Sequence, residues 1–179
     1  VLSVGRLSAE KGHRYLVEAA YMVVAGHPDA HFVLLGEGRE RSRLEGQARR
    51  LGLGERCLFP GFRSDARPLM AQADVLVLPS LTEGMPNVVL EAFAVGLPVV
   101  ATAVGGVPEI VQDGLNGWLC KPRHPRALAS ALMEALGNPR ELQRRGRAGH
   151  GLVKRRYTFA TQAEMAARGF REVLARRGT

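Results

Sequence analysis

A chain of 179 residues with 46% apolar and 23% charged side chains is a globular domain, large enough to bury a full core without disulfide or metal staples. No apolar run reaches the roughly 18 residues of a membrane-spanning helix, and no secretory leader is visible. The net charge of +8 is concentrated at one end: residues 138–179 hold 11 basic and 3 acidic side chains, whereas residues 1–137 hold 14 of each. Such a basic region suits nucleic acid or an anionic membrane surface. No aromatic residues are interleaved to stack bases, which argues against nucleic acid and leaves a peripheral membrane-facing patch open. Cys57 and Cys120 stand alone in apolar, strand-like stretches and are expected as small, buried, reduced side chains of a cytosolic protein.

The chain begins at Val1 inside a strand-like stretch, Val1–Val4, so a longer parent protein is expected. Gly5-Arg6-Leu7-Ser8-Ala9-Glu10-Lys11-Gly12 follows, and Tyr15, Leu16, Ala19, Ala20, Val23 and Val24 then recur at helical spacing. Phe32–Leu35 reads as a second strand, with a charged helix from Arg39 to Leu51 after it. Cys57–Phe59 is a third strand, followed by Pro60-Gly61-Phe62-Arg63 and a short helix over Ala66–Ala73. The apolar run Val75–Leu78 predicts a buried parallel strand ending at Pro79. Strands follow at Pro98–Ala101 and Trp118–Cys120, with Trp118 in the core, and a turn cluster Asp113-Gly114-Leu115-Asn116-Gly117 lies between them. Helices are predicted over Ala127–Leu136, Pro139–Val153 and Phe159–Ala175, with Tyr157 and Phe159 anchoring the last. The alternation predicts an α/β fold: a Rossmann-like, doubly wound parallel sheet of about six strands with a helical C-terminal region.

The stretch from Pro79 to Pro98 carries the densest chemistry. Glu83 falls in the loop at the carboxyl end of a strand, and the backbone of Gly84, Met85, Pro86, Asn87 and Val88 leads into a helix whose positive end suits an anion. Ligands bind in that crevice of an open α/β sheet. Glu91 lies one turn inside the helix, among Val88, Val89, Leu90, Ala92, Phe93, Ala94 and Val95. That surrounding predicts burial on all sides and a carboxylate in need of a hydroxyl-rich partner. The plainer alternative makes Ser80-x-x-Glu83 a capping box and Glu91 a complement to the helix dipole.

Arg6 and Lys11, in the loop after the first strand, fit a diphosphate clamp, although each also fits a solvated loop. Two cations, an anion-binding turn and a hydroxyl-accepting carboxylate at strand ends suit a nucleoside diphosphate carrying a sugar. His13 either touches a phosphate or is a solvated residue at a helix start, the second being favoured. Asp65 and Asp74 form no DxD pair, and neither a complete dinucleotide fingerprint nor a P-loop occurs. The five histidines lack metal-ligand spacing.

Gly5-Arg6-Leu7-x-x-Glu10-Lys11-Gly12, Pro79-Ser80-x-x-Glu83-Gly84-x-Pro86, Glu83-x7-Glu91, Gly105-Gly106-x-Pro108-Glu109 and Asp113-Gly114-x-Asn116-Gly117 occur in this order. In that combination the chain resembles the C-terminal, donor-binding lobe of a GT-B retaining glycosyltransferase of the group 1 (family 4) type, over residues 1 to about 125. The resemblance implies that Arg6 and Lys11 hold the donor diphosphate with the backbone of Gly84 to Val88, and that Glu91 accepts ribose hydroxyls. It implies that Glu83 contacts and positions the donor sugar, and that Phe62 and Arg63 lie near the nucleobase. No metal or other cofactor is expected. The donor is a UDP-, GDP- or ADP-sugar, and an N-terminal lobe, absent from residues 1–179, holds the acceptor. The expected setting is cytoplasmic, at the inner membrane face if the acceptor is a lipid-linked or cell-surface polysaccharide. Other functions compatible with these motifs are a nucleotide-sugar-binding regulatory module and a sugar-nucleotide epimerase of similar fold.

Overall fold

The computed structural model describes residues 1–157 and residue 161, so the helix expected over Phe159–Ala175 lies, Thr161 apart, outside the described residues. The short β-branched runs bounded by glycine and proline form the strands β1 (Leu2–Val4), β2 (Phe32–Leu35), β3 (Cys57–Gly61), β4 (Leu76–Leu78), β5 (Val99–Thr102) and β6 (Gly117–Cys120). They make one sheet in the order β3-β2-β1-β4-β5-β6, and every neighbouring pair is parallel. The helices between them are α1 (His13–Gly26), α2 (Arg41–Arg50), α3 (Ala66–Met70), α4 (Asn87–Ala94), α5 (Val107–Ile110), α6 (Pro125–Leu136) and α7 (Pro139–Arg156). This is the Rossmann-like doubly wound sheet that the alternation predicts. Its strand order reverses between β1 and β4, so the crevice lies where the Arg6–Gly12 and Pro79–Pro86 loops leave the sheet.

Alternate side chains along each strand divide between two cores, as a pleat with two covered faces requires. Phe32, Leu34, Val75, Val77, Val100 and Trp118 pack on one face with α1, α2 and α6. Leu35, Leu76, Leu78, Val99 and Ala101 pack on the other with α3, α4, α5 and α7. Cys57 and Cys120 are both buried free thiols, and burial pushes them up to about 12 and about 11 respectively, so both are protonated and inert at neutral pH.

Helix boundaries depart from the sequence expectation by a few residues: α2 starts at Arg41, α3 stops at Met70 and α4 starts at Asn87. The larger correction concerns α4, which is not buried all round. Val89, Ala92 and Phe93 face the core, whereas Asn87, Glu91 and Val95 form an exposed stripe at i, i+4 and i+8. Val95 and the flanking small residues hide this stripe from a hydropathy pattern. Glu91 is therefore a solvent-facing carboxylate and carries no burial penalty.

Helix α7 is capped by Asn138, whose Oδ1 accepts the Glu141 amide at 3.2 Å, with Pro139 opening the first turn. Two glycines let it approach the other elements closely. A β-carbon on Gly146 would lie 2.1 Å from the Gly96 carbonyl oxygen, and one on Gly149 would lie 2.4 Å from the Phe93 ring. Arg145 joins α7 to β6. Its guanidinium stacks over Trp118 at 3.8 Å from the ring centroid. Its nitrogens donate to the Gly117 carbonyl at 2.8 Å, to Glu141 at 3.0 Å and to Glu134 at 3.3 Å. Glu134 also accepts the Trp118 indole N–H at 2.8 Å.

Removing this buried cation leaves the Gly117 carbonyl and two carboxylates short of partners. Arg145→Leu should lower the stability of the fold by about 2–4 kcal/mol. Arg43→Ala, which removes an exposed pair with Glu40, should change it by less than about 0.5 kcal/mol. Urea unfolding followed by circular dichroism distinguishes the two, and equal midpoints would remove Arg145 from its anchoring role.

Candidate functional site

The loops at the carboxyl edge are joined backbone to backbone. Gly12, at φ +65°, closes a 3-10 turn over Ala9–Lys11, and a β-carbon there would sit 2.1 Å from the Pro79 carbonyl oxygen. The Leu81 amide donates to the Glu10 carbonyl at 2.8 Å, completing the seam between the β1 and β4 loops. On the other side Gly105, at φ +50°, leaves only 1.7 Å between a would-be β-carbon and the Glu83 carbonyl oxygen. The Gly106 amide donates to the Gly84 carbonyl at 3.2 Å. Residues 79–84 are thus held between two neighbouring loops.

Within this frame Lys11 Nζ lies 2.6 Å from Glu83 Oε1. The same oxygen accepts the Ser80 hydroxyl at 2.6 Å. The Glu83 side chain is 9% exposed and that of Lys11 28%, so the pair is screened from solvent yet reachable from the cleft. Ser80-x-x-Glu83 is therefore no capping box. Helix α4 begins only at Asn87, Pro86 occupies its cap position, and no side chain caps its first turn. The Asn87 amide donates to Met85 O at 3.0 Å, and the positive end of α4 stands open beside Gly84 and Met85, both exposed.

Arg6 is exposed, and both Arg6 and Lys11 lie close enough to Glu10 to help hold its carboxyl below the usual range, after the Ser8 hydroxyl and its own backbone N–H. Arg6 also lines a cavity of about 380 Å³ with Val4, Gly5, Leu35, Gly36, Glu37, Phe62 and Arg63. Phe62 is 75% exposed there, a large aromatic face turned to solvent. The Arg63 guanidinium is taken by Asp65 in a two-pronged pair at 2.7 and 2.8 Å. The sequence-predicted residues therefore fall into two groups on one sheet edge: Lys11 with Glu83, and Arg6 with Phe62 and Arg63. Glu91 makes no hydrogen bond or ion pair among the described residues.

His13 corrects the expectation of a solvated histidine. It is 3% exposed, its Nδ1 has no partner, and burial followed by the nearby Lys11 charge lowers it to about 4. Sequence reasoning also missed Thr102, whose buried hydroxyl donates to the Ser80 carbonyl. A polar residue closing an otherwise apolar strand was the available signal. Among the described residues no cluster of three or more His, Cys, Asp or Glu could hold a metal, and no helix is long and apolar enough to cross a membrane.

The family model for glycosyl transferases group 1 matches residues 1–138. The chain belongs to this family. It is 36% identical over 150 residues to the lipopolysaccharide core biosynthesis glycosyltransferase LpsE of Rhizobium meliloti, covering 84% of this chain and 43% of that protein. It is 34% identical over 180 residues to glycogen synthase of Mycobacterium tuberculosis, covering 99% and 43%. Its structure resembles the C-terminal domain of the group 1 glycosyl transferase LpcC of Francisella tularensis, with TM-score 0.80, 28% identity and coverage of 88% and 86%. It also resembles Anabaena Alr3699/HepE in complex with UDP, with TM-score 0.88, 29% identity and coverage of 96% and 48%. The fold is that of the C-terminal domain of a GT-B glycosyltransferase, and the chain spans less than half the length of the curated relatives just named.

The buried neutral His13 has a consequence for acid stability. The unfolded chain takes up a proton on this ring below about pH 6.5, whereas the folded one does so only near pH 4. Its contribution is therefore present above pH 6.5 and lost as pH falls to about 4, by about 3 kcal/mol in all. His13→Leu and His13→Phe should lose less stability than the parent across this window when urea midpoints are compared at pH 7 and pH 4.5. Parallel curves would show that His13 is not held neutral.

Proposed function

We propose that this chain binds a nucleotide-diphosphate sugar and serves as the donor lobe of a metal-independent, retaining glycosyltransferase of the family 4 type. The observation that carries the reading is the 2.6 Å pair between Lys11 and Glu83, which sets a cation suited to phosphate beside a carboxylate suited to a sugar hydroxyl at the strand-order reversal. Arg6 and Lys11 bind the diphosphate, with the open first turn of α4 around Gly84, Met85, Pro86, Asn87 and Val88 facing its charge. Glu91, exposed on the same helix, accepts the ribose hydroxyls. The Phe62 and Arg63 segment borders the nucleobase in the cavity shared with Arg6. UDP is favoured as carrier because Alr3699/HepE binds UDP and UDP-glucose.

In the transfer, the bond from the sugar anomeric carbon to the departing phosphate oxygen breaks as the acceptor oxygen bonds to the same face. The acceptor proton passes to a phosphate oxygen of the leaving nucleotide. Lys11 and Arg6 stabilise the negative charge that develops on the diphosphate, the service a divalent cation performs in other transferases. An N-terminal lobe of the parent protein holds the acceptor, so this chain alone transfers sugar negligibly. The cations Arg140, Arg144, Arg147, Lys154 and Arg155 are exposed along α7 and suit an anionic membrane surface at the cytoplasmic side, where a lipid-linked acceptor would be met.

Calorimetric titration of this chain with UDP, GDP and ADP, without and with magnesium, tests the clamp. One nucleotide should bind equally well without the metal, and Arg6→Ala should weaken it by roughly 10- to 150-fold. In the full-length protein, Glu83→Gln should reduce turnover while leaving nucleotide affinity undiminished, which separates a transferase from a regulatory nucleotide-binding module. Turnover that survives the substitution would reject the role given to Glu83.

A further inference from the structure

The carboxylate of Glu83 is held in an asymmetric way. Both of its hydrogen bonds converge on Oε1, from the Ser80 hydroxyl and from the Lys11 ammonium, each at 2.6 Å. No hydrogen bond reaches Oε2 among the described residues. The two donors differ in kind. Lys11 is a long side chain, 28% exposed, and carries the charge assigned to the diphosphate. Ser80 is wholly buried, and its backbone carbonyl accepts the buried Thr102 hydroxyl from the next strand. A serine rotor in such a place has one staggered bond to vary and is fixed by its neighbours.

We propose that Ser80 is a positioning residue for Glu83, pinning Oε1 so that Oε2 is the oxygen presented to a hydroxyl of the donor hexose. This rests on the reading of Glu83 as the sugar-facing carboxylate. When a diphosphate enters, Lys11 has three donor hydrogens to share between two anions and can shift toward the ligand. Ser80 cannot follow, so it keeps the carboxylate in place when the lysine is drawn away. The alternative role for this serine, capping a helix, is excluded by the start of α4 at Asn87. Its hydroxyl serves the carboxylate and nothing else among the described residues. A hydrogen bond from a buried hydroxyl to a carboxylate side chain that is 9% exposed is the kind whose loss moves the carboxylate out of reacting geometry.

The test compares Ser80→Ala, Glu83→Gln and the double variant in the full-length protein, following nucleotide release from UDP-, GDP- and ADP-glucose. Melting temperatures and affinity for the corresponding nucleotide are measured alongside. Ser80→Ala should lower kcat by roughly 10- to 100-fold, with KM for the donor and nucleotide affinity changed far less. In the Glu83→Gln background the same substitution should lower kcat by less than about 3-fold, because its effect runs through the carboxylate. A serine that merely supports the loop would lower kcat by the same factor in both backgrounds, and that outcome overturns the proposal. So does an unchanged kcat in Ser80→Ala when Glu83→Gln is impaired. If Glu83→Gln is fully active, or if no donor is turned over, the reading of the site fails and the role of Ser80 falls with it.

Discussion

The constraint on which the site depends is steric: three loops leave the sheet with their backbones in contact, and no β-carbon fits between them. Gly12 lies under the Pro79 carbonyl and Gly105 lies against that of Glu83. Each also has a positive φ, so an alanine at either position meets both a strained backbone and a collision. This contact fixes the height and direction of residues 79–84 before any side chain is considered. It also brings Lys11, one residue before the Gly12 contact, within reach of the carboxylate four residues after Pro79.

The fold was legible almost in full. The strands are short apolar runs, with β1, β2 and β4 followed directly by glycine or proline, and such runs in alternation with helices have few ways to assemble. The site was legible as a set of positions rather than as a set of contacts. Arg6, Lys11 and Glu83 could be placed at one edge because they stand at strand ends, which topology brings together whatever the side chains do. Glu91 was misread because hydropathy cannot distinguish an eight-residue helix buried on all sides from one with a narrow exposed stripe at Asn87, Glu91 and Val95. His13 was misread for the converse reason. A polar residue after a glycine resembles a solvated helix start, and only the packing of the β1 loop shows that the ring is inside.

Ser80 shows how a local rule can be satisfied in sequence and replaced in space. Ser-x-x-Glu before an apolar helix has the spacing of a capping box, and the two side chains do meet. They meet each other, however, because Gly84 and Pro86 delay the helix, and the bond that would have gone to a backbone amide goes to the carboxylate. The first turn of α4 is left without a side-chain cap by the same delay. One displacement of a helix start thus gives both an uncapped first turn and an anchored carboxylate beside it.

Lys11 is the one cation that bonds Glu83 among the described residues. His13 opens α1 two residues after Lys11, across the left-handed Gly12. Burial of His13 keeps the ring neutral at physiological pH, and the Lys11 charge acts in the same direction. Lys11 thus meets the Glu83 carboxylate as a single charge. An ammonium on a four-carbon stem can exchange one anion for another at little cost, and the Glu83 carboxylate has the Ser80 hydroxyl as a second partner.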